Sequence, residues 1–368
     1  MTLGVCSALL LLLRCIALPQ PTDGGADPEQ QLRITTRTLP ALALPLSSPV
    51  RPSRGLKNDD ANATRNLHFG FYDDEPCYLG HTPGPCDTAN SPATNFQPWL
   101  MNATEAVLSK ALGKPGLLYV GGALWGKRVV NCTLGKATCG IRLKPTWHAD
   151  WTALAEVARP LLANGSIIGF NLGDELCWNC LRPDELETAA NAIRASFPRG
   201  SAILWYNEAT KPVSSRGQWL ADGCPRGGGT YRIPAALDWF SVDLYHMDGL
   251  VKGWVEANVK QFYEAYIFPN LTAAQRGFLV PGSFGSTLNK LCNKDCYDRM
   301  CAHDAVDFYH WAANDSRIVG LAPWNWGGCG GPCDAPKDEI GTQDMPLARA
   351  AWRKIGLAIQ AASASTAT

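Results

Sequence analysis

Eight short runs of apolar, β-branched or aromatic residues recur between residues 67 and 326, and most of them are separated by a stretch with helical periodicity. The runs are 67–73, 93–97, 116–124, 167–174, 202–208, 237–246, 277–284 and 318–326. Strands that are apolar on both faces and alternate with helices belong to a parallel sheet covered on both sides. Eight of them over about 300 residues predict an α/β fold of the (β/α)8 barrel type. An open doubly wound sheet is the alternative. It calls for a Gly-rich phosphate turn after an early strand, and the chain has none. The clearest helices are "HADWTALAEVARPLLANG", with Trp151, Leu154, Val157, Ala158 and Leu161 on one stripe, and "RPDELETAANAIRASFP", with Leu186, Ala189, Ala190 and Ile193. Two more are expected at 301–316 and 346–362, while the first and fifth helices of the series are poorly defined.

The barrel domain is expected to span 61–362. Before it, residues 18–60 are rich in Pro, Ser, Asp and Gly and lack periodicity, as in a linker or pro-segment. Residues 1–17 carry an apolar run too short for a membrane span and have the form of a secretory leader cut near Ala17, the alternative being an uncleaved anchor. No later segment is apolar enough to span a bilayer. The chain holds 33 basic and 33 acidic residues, so no net field attracts nucleic acid or an anionic membrane surface.

Of 14 cysteines, all but Cys6 and Cys15 follow the leader. Ten form close pairs: Cys77 and Cys86, Cys132 and Cys139, Cys177 and Cys180, Cys292 and Cys296, Cys329 and Cys333. Cys224 and Cys301 remain. Loop-stapling disulfides are expected, with connectivity open. "CWNC" has zinc-like spacing but no second half, so no metal or other cofactor is expected. Sequons at Asn62, Asn102, Asn131, Asn164, Asn270 and Asn314 fit a secreted or lumenal glycoprotein. Asn164, Asn270 and Asn314 each precede a strand, on the face of a barrel opposite its chemistry.

Candidate chemistry collects at strand C-termini. "GFNLGDELCWNC" (169–180) ends an apolar run in adjacent carboxylates, Asp174 and Glu175. Two close carboxylates raise one pKa by repulsion, which makes a general acid suited to glycosidic cleavage; helix capping is the other use of such residues. The sixth run ends in Asp243, Tyr245 and His246, the fifth in Glu208, and the first in Asp73, Asp74 and Glu75. Glu208 is the expected second carboxylate if two protein acids act. Trp324 and Trp326 end the eighth run at a two-residue spacing, as a floor for a sugar, and Trp178, Trp205 and Trp125 lie near other strand ends. A metal set of His68, Asp243 and His246 is a remote alternative. No G-x-S-x-G elbow occurs, and Ser283 in "PGSFGS" does not match one.

"GFNLGDELCW" resembles the fourth-strand motif of the β-hexosaminidase family of glycoside hydrolases. The resemblance implies that Glu175 is the acid/base and that Asp174 orients the substrate's 2-acetamido group, which itself attacks the anomeric carbon. Asn171 stands where that family usually has His. Asp243 and Tyr245 are similar to the sixth-strand Asp and Tyr of chitinase-like barrels, which contact the reacting sugar. Retaining barrels of the wider group carry a second Glu at the end of strand seven; here "FLVPGSFGS" has no acid. The resulting expectation is a secreted glycoside hydrolase acting on a β-linked glycan, with Asp243, Tyr245, Trp324, Trp326, Glu208 and Trp178 around the sugar. A catalytically inactive, lectin-like barrel is the alternative.

Overall fold

The computed structural model describes residues 66–72, 93–127, 140–214, 230–245, 253–287, 292–324, 326 and 339–366. The expected leader and linker lie outside them. Among these residues eight parallel strands form one sheet: β1 (His68–Phe69), β2 (Gln97–Leu100), β3 (Gly116–Tyr119), β4 (Ile167–Asp174), β5 (Ile203–Ala209), β6 (Trp239–Asp243), β7 (Arg276–Leu279) and β8 (Ile318–Leu321). Their spatial order is β1-β8-β7-β6-β5-β4-β3-β2. Each strand neighbours the next in sequence, which is the winding of a (β/α)8 barrel.

Closure between β1 and β2 uses a side chain. The Phe69 carbonyl accepts from the backbone N–H groups of Asn95 (3.0 Å) and Phe96 (3.2 Å). The Asn95 Oδ1 accepts from Phe69 N at 2.8 Å, and its Nδ2 donates to Leu67 O at 3.0 Å. One amide side chain thus supplies the rungs that a regular strand would. Gly70 sits at this seam because a Cβ there would lie 2.0 Å from the Phe96 carbonyl oxygen. Behind it the last helix packs Trp352 on Phe69, with ring centroids 5.7 Å apart.

Helices cover the barrel: α1 (Ala103–Ala111), α2 (Trp147–Ala163), α3 (Pro183–Ser196), α4 (Lys294–Asn314) and α5 (Pro346–Thr366). The stripes of α2 and α3 face the sheet, with one correction: Val157 is exposed, and Trp147 and Ala155 are buried in its stead. Helix α4 begins at Lys294, well before 301, because the Asn293 side chain caps it by accepting from Cys296 N. Helix α5 runs four residues past the expected boundary at 362. Helix α1, absent from the clearest sequence patterns, starts at the sequon residue Asn102, whose Oδ1 accepts from Glu105 N at 3.0 Å. The expected strand 277–284 is split. Pro281 has no N–H for a ladder, and Phe284–Ser286 leaves the barrel to pair antiparallel with Glu339–Gly341. Ser283 is fully buried there, hydrogen-bonded to Trp352 and Thr342. Among the described residues no helix is long and apolar enough to cross a membrane.

Two apolar layers result. Leu118, Phe170, Leu172, Leu204, Phe240 and Leu321 point outward to the helices. The interior is aromatic: Tyr72, Phe96, Trp205, Trp239 and Phe278, with Trp99, Tyr245 and Trp324 at its upper edge. His68 lies at the base of this stack, 4.8 Å from the Trp239 ring, and burial pushes its pKa down to about 4. It is thereby separated by the length of β6 from Asp243, and His246 lies outside the described residues.

Asn95→Ala removes two seam hydrogen bonds, each worth about 1 kcal/mol net. It should lower stability by about 2 kcal/mol, read as a lower urea midpoint with an unchanged slope.

Candidate functional site

The mouth of the barrel is built on an irregularity in β4. Asn171 pairs with Trp205 and Asp174 with Asn207, so three steps on β4 oppose two on β5. This is a β-bulge, rare in parallel sheets and able to re-aim a side chain. Strict alternation would send Asp174 outward with Leu172. The extra residue turns Asp174 into the barrel instead. Gly173 absorbs the distortion at φ +141°. Its N–H is taken by Asn171 Oδ1 at 2.9 Å, and the Leu172 carbonyl accepts from Trp125 Nε1 at 2.6 Å. Glu175 follows at φ +47°, a left-handed conformation for a side-chain-bearing residue, held by its N–H to the Asn207 carbonyl (3.1 Å) and by Asn179 on its own carbonyl. Such strain costs about 1–3 kcal/mol and gathers at functional sites. The helix-cap use of these acids does not occur: α3 starts eight residues later, where Glu185 accepts from Arg182 N.

Asn207 organises the cluster. Asp174, Asn207 and Ser241 are level across β4, β5 and β6. Trp205 Nε1 donates to Ser241 Oγ (2.9 Å), and Ser241 Oγ donates to Asn207 Oδ1 (2.6 Å). The amide therefore has one orientation, with its N–H₂ group toward the carboxyls. It donates to Asp174 Oδ1 at 2.7 Å and also reaches Asp243. Asp243 accepts from the Tyr245 hydroxyl at 2.6 Å, and its carboxyl adjoins that of Glu175. Carboxyl groups this close hold one charge more easily than two.

The electrostatics follow from burial without a cation. Burial, then the Asp174 charge, push Glu175 up to about 7. Burial raises Asp174 against the lowering effect of Asn207 and Tyr72. Burial and the Asp174 charge raise Asp243 well above the usual carboxylate range. The Tyr72 phenol lies beside Asp174, although its hydroxyl, itself buried, makes no hydrogen bond of regular geometry.

The structure thus brings Asp174, Glu175, Asp243 and Tyr245 together. Trp324 joins them by stacking on Tyr245 at 5.6 Å and 15°. Trp326 does not share its face, and packs on Phe71 in the outer layer. Trp178 stands on the rim after Glu175 with the Lys211 ammonium over its ring at 5.1 Å. Trp205 is fully buried in the barrel and Trp125 supports the bulge. Glu208 points away from the mouth. It is fully buried between β5 and the loop after β4, accepting from Cys177 N (3.1 Å), Trp178 N (3.2 Å), Ala209 N (2.8 Å) and the Tyr206 hydroxyl. Burial still pushes its pKa up to about 8. Asp73, Asp74 and Glu75 lie outside the described residues.

Asn207 is the member of this cluster that the sequence reading missed. Alternation along β5 from the buried Trp205 would have found it, since Trp205 and Asn207 share a face and Glu208 takes the other. "CWNC" is not a disulfide: Cys177 is a buried free thiol, and Cys180 is bonded to a cysteine outside the described residues. Cys292 and Cys296 do pair, with Cα atoms 5.3 Å apart, and Cys301 is free. Among the described residues no three His, Cys, Asp or Glu side chains are arranged to hold a metal ion.

No protein-family model and no curated protein sequence matches the chain. Among solved structures it is similar to a GH113 β-mannanase from Alicyclobacillus acidocaldarius at 15% identity, over 81% of this chain and 97% of that one, with a TM-score of 0.43. It is similar to xylanase 10B from Thermotoga maritima at 11% identity, over 82% and 98% of the two chains, with a TM-score of 0.42. It is also similar to a GH5_18 protein from Bifidobacterium longum subsp. infantis at 9% identity, over 79% of each chain, with a TM-score of 0.42. The barrel itself rests on the strand order given above.

Glu208→Gln leaves four donors facing a group that can satisfy fewer of them. It should cost about 2–4 kcal/mol of stability and free the loop after Glu175. Alkylation of Cys177, followed by peptide mass mapping, should then accelerate by about 30–700-fold where that loss falls on opening of the loop.

Proposed function

We propose that the cluster at the barrel mouth is the active site of a glycoside hydrolase acting on a β-linked glycan that contains N-acetylhexosamine. The gathering of the Asp174, Glu175 and Asp243 carboxyls at the strand ends carries this reading. A protein acid and its protein nucleophile stand about 5–5.5 Å apart in retaining glycosidases, and acid and base about 6.5–9.5 Å apart in inverting ones. Glu175 and Asp243, whose carboxyls adjoin, do not suggest either spacing. The end of β7 carries no acid to take the opposite side. This favours the substrate's own 2-acetamido oxygen as the nucleophile.

In that mechanism Glu175, protonated near neutral pH, gives its proton to the glycosidic oxygen as the C1–O bond breaks. The acetamido carbonyl oxygen closes on C1 to give an oxazolinium. Asp174, held by Asn207, accepts the acetamido N–H and balances the positive charge. A water molecule then attacks C1 and gives its proton to the Glu175 carboxylate, opening the ring and restoring the acid. Burial and the Asp174 charge keep Glu175 protonated for the first step, while Tyr245 fixes Asp243 beside it. Trp324 and Tyr245 form the wall against which the reacting sugar stacks. No cofactor enters the scheme. The leader-like residues 1–17, the sequons and the Cys292–Cys296 disulfide support secretion or a lumenal location.

On a panel of chromogenic β-glycosides, Glu175→Gln should lower kcat/KM by about 10²–10⁴-fold, and a thiazoline mimic of the oxazoline should inhibit. Wild type that binds glycans but turns over none would replace the enzyme with the lectin-like alternative.

The acid must be protonated to act. kcat/KM should therefore fall about tenfold per pH unit above about 7, as Glu175 ionises, and fall again on the acid side as Asp174 takes up a proton. A pH–rate profile from 4 to 9 reads both limbs.

A further inference from the structure

The β1–β3 lip of the mouth carries aromatic groups that the mechanism above does not use. Strand β2 contains a second bulge: Gln97 pairs with Gly116 and Leu100 with Leu118, three steps against two. Pro98 sits inside it, where its missing N–H costs no rung. The result repeats the device in β4. Leu100 is buried on the outer side, and Trp99 is turned against the interior aromatics. There it stacks on Tyr119, with ring centroids 4.5 Å apart and planes 22° apart. Both rings are partly exposed. Tyr72 stands edge-on to Trp99 at 5.3 Å and edge-on to Trp205 at 5.2 Å.

We infer that this lip is a second sugar subsite, with the Trp99–Tyr119 pair as its stacking platform and the Tyr72 hydroxyl as its hydrogen-bond donor, so that the ligand is an oligosaccharide crossing the mouth. The apolar C–H face of a pyranose stacks on such rings, which combine a large apolar face with fixed geometry. The Tyr72 side chain is 2% exposed and its hydroxyl makes no hydrogen bond of regular geometry. A buried hydroxyl left so costs free energy that a sugar hydroxyl can return. The platform also adjoins the carboxyl cluster. Asp174 raises the pKa of Tyr119, and β2 lies two strands, about 10 Å, from β4. Across the mouth stand Trp324 and Tyr245. The carboxyls therefore lie between two aromatic walls, which suits a chain with sugars on both sides of the bond to be cut. That last step rests on the glycosidase reading; the platform itself does not.

Binding of β-1,4-linked N-acetylglucosamine, from monosaccharide to tetrasaccharide, with cello- and manno-tetraose alongside, tests the inference by calorimetry. Wild type should prefer a tetrasaccharide to its monosaccharide. Trp99→Ala should remove about tenfold of that preference, Tyr72→Phe about 3–10-fold, and Trp99→Phe should restore part of what Trp99→Ala loses. Thermal melts confirm that each variant folds. The subsite is overturned if no tetrasaccharide in the panel binds, if wild type shows no length preference, or if Trp99→Ala weakens monosaccharide and tetrasaccharide equally. Length-dependent binding without hydrolysis sinks the enzyme and leaves the subsite standing. Turnover of a simple aryl glycoside without length preference does the reverse.

Discussion

Three half-buried carboxyl groups with no cation among their described neighbours set the terms for the rest of this molecule. Each such group must keep its proton or be solvated by fixed neutral donors. Here both happen. Asn207 and Tyr245 supply the donors, and burial pushes all three carboxyls toward keeping a proton. The donors are useful only because they cannot rotate. Asn207 is locked by Ser241, which is locked by Trp205, whose indole is fixed in an aromatic-filled barrel. The unusual weight of aromatics inside the barrel thus has an electrostatic purpose: it supplies a rigid, low-dielectric floor under groups whose acidity depends on staying dry.

The loop after β4 is held from the other side. Glu208 accepts from two successive backbone amides of that loop, and Lys211 leans over its tryptophan. One acid thus faces the mouth and another braces its setting from behind. The first is half-buried, the second fully buried, and their uses are opposite.

Much of the fold was legible in the sequence because burial on both faces leaves a continuous apolar run. β4 matches its run from Ile167 to Asp174, since a carboxylate ends it abruptly. β2 was displaced, because Pro98 looks like a stop and is in fact the site of a bulge. α1 was overlooked because its pattern is weak and its start, Asn102, also reads as a sequon. Among the site residues, Asp174, Glu175, Asp243, Tyr245 and Trp324 were visible as polar or aromatic groups at strand ends. Asn207 and Trp99 were hidden for a common reason. Chemistry drew attention to the charged Glu208 beside the first, and alternation without a bulge gives the wrong face for the second. The pairing of "CWNC" also misled. Spacing alone does not say that Cys177 is turned into the buried layer while Cys180 bonds elsewhere.

The bulge in β4 makes this strand behave like a reading frame. Its side chains alternate between a dry hydrocarbon layer and an acidic mouth, and the extra residue near Gly173 decides which group lands where. Losing or gaining a single residue upstream of Asp174 would exchange the two sets. It would drive a carboxylate among Leu172 and Phe170 and swing leucine over the substrate. The length of this segment, counted to the residue, is therefore under a stricter constraint than the identity of most of its side chains.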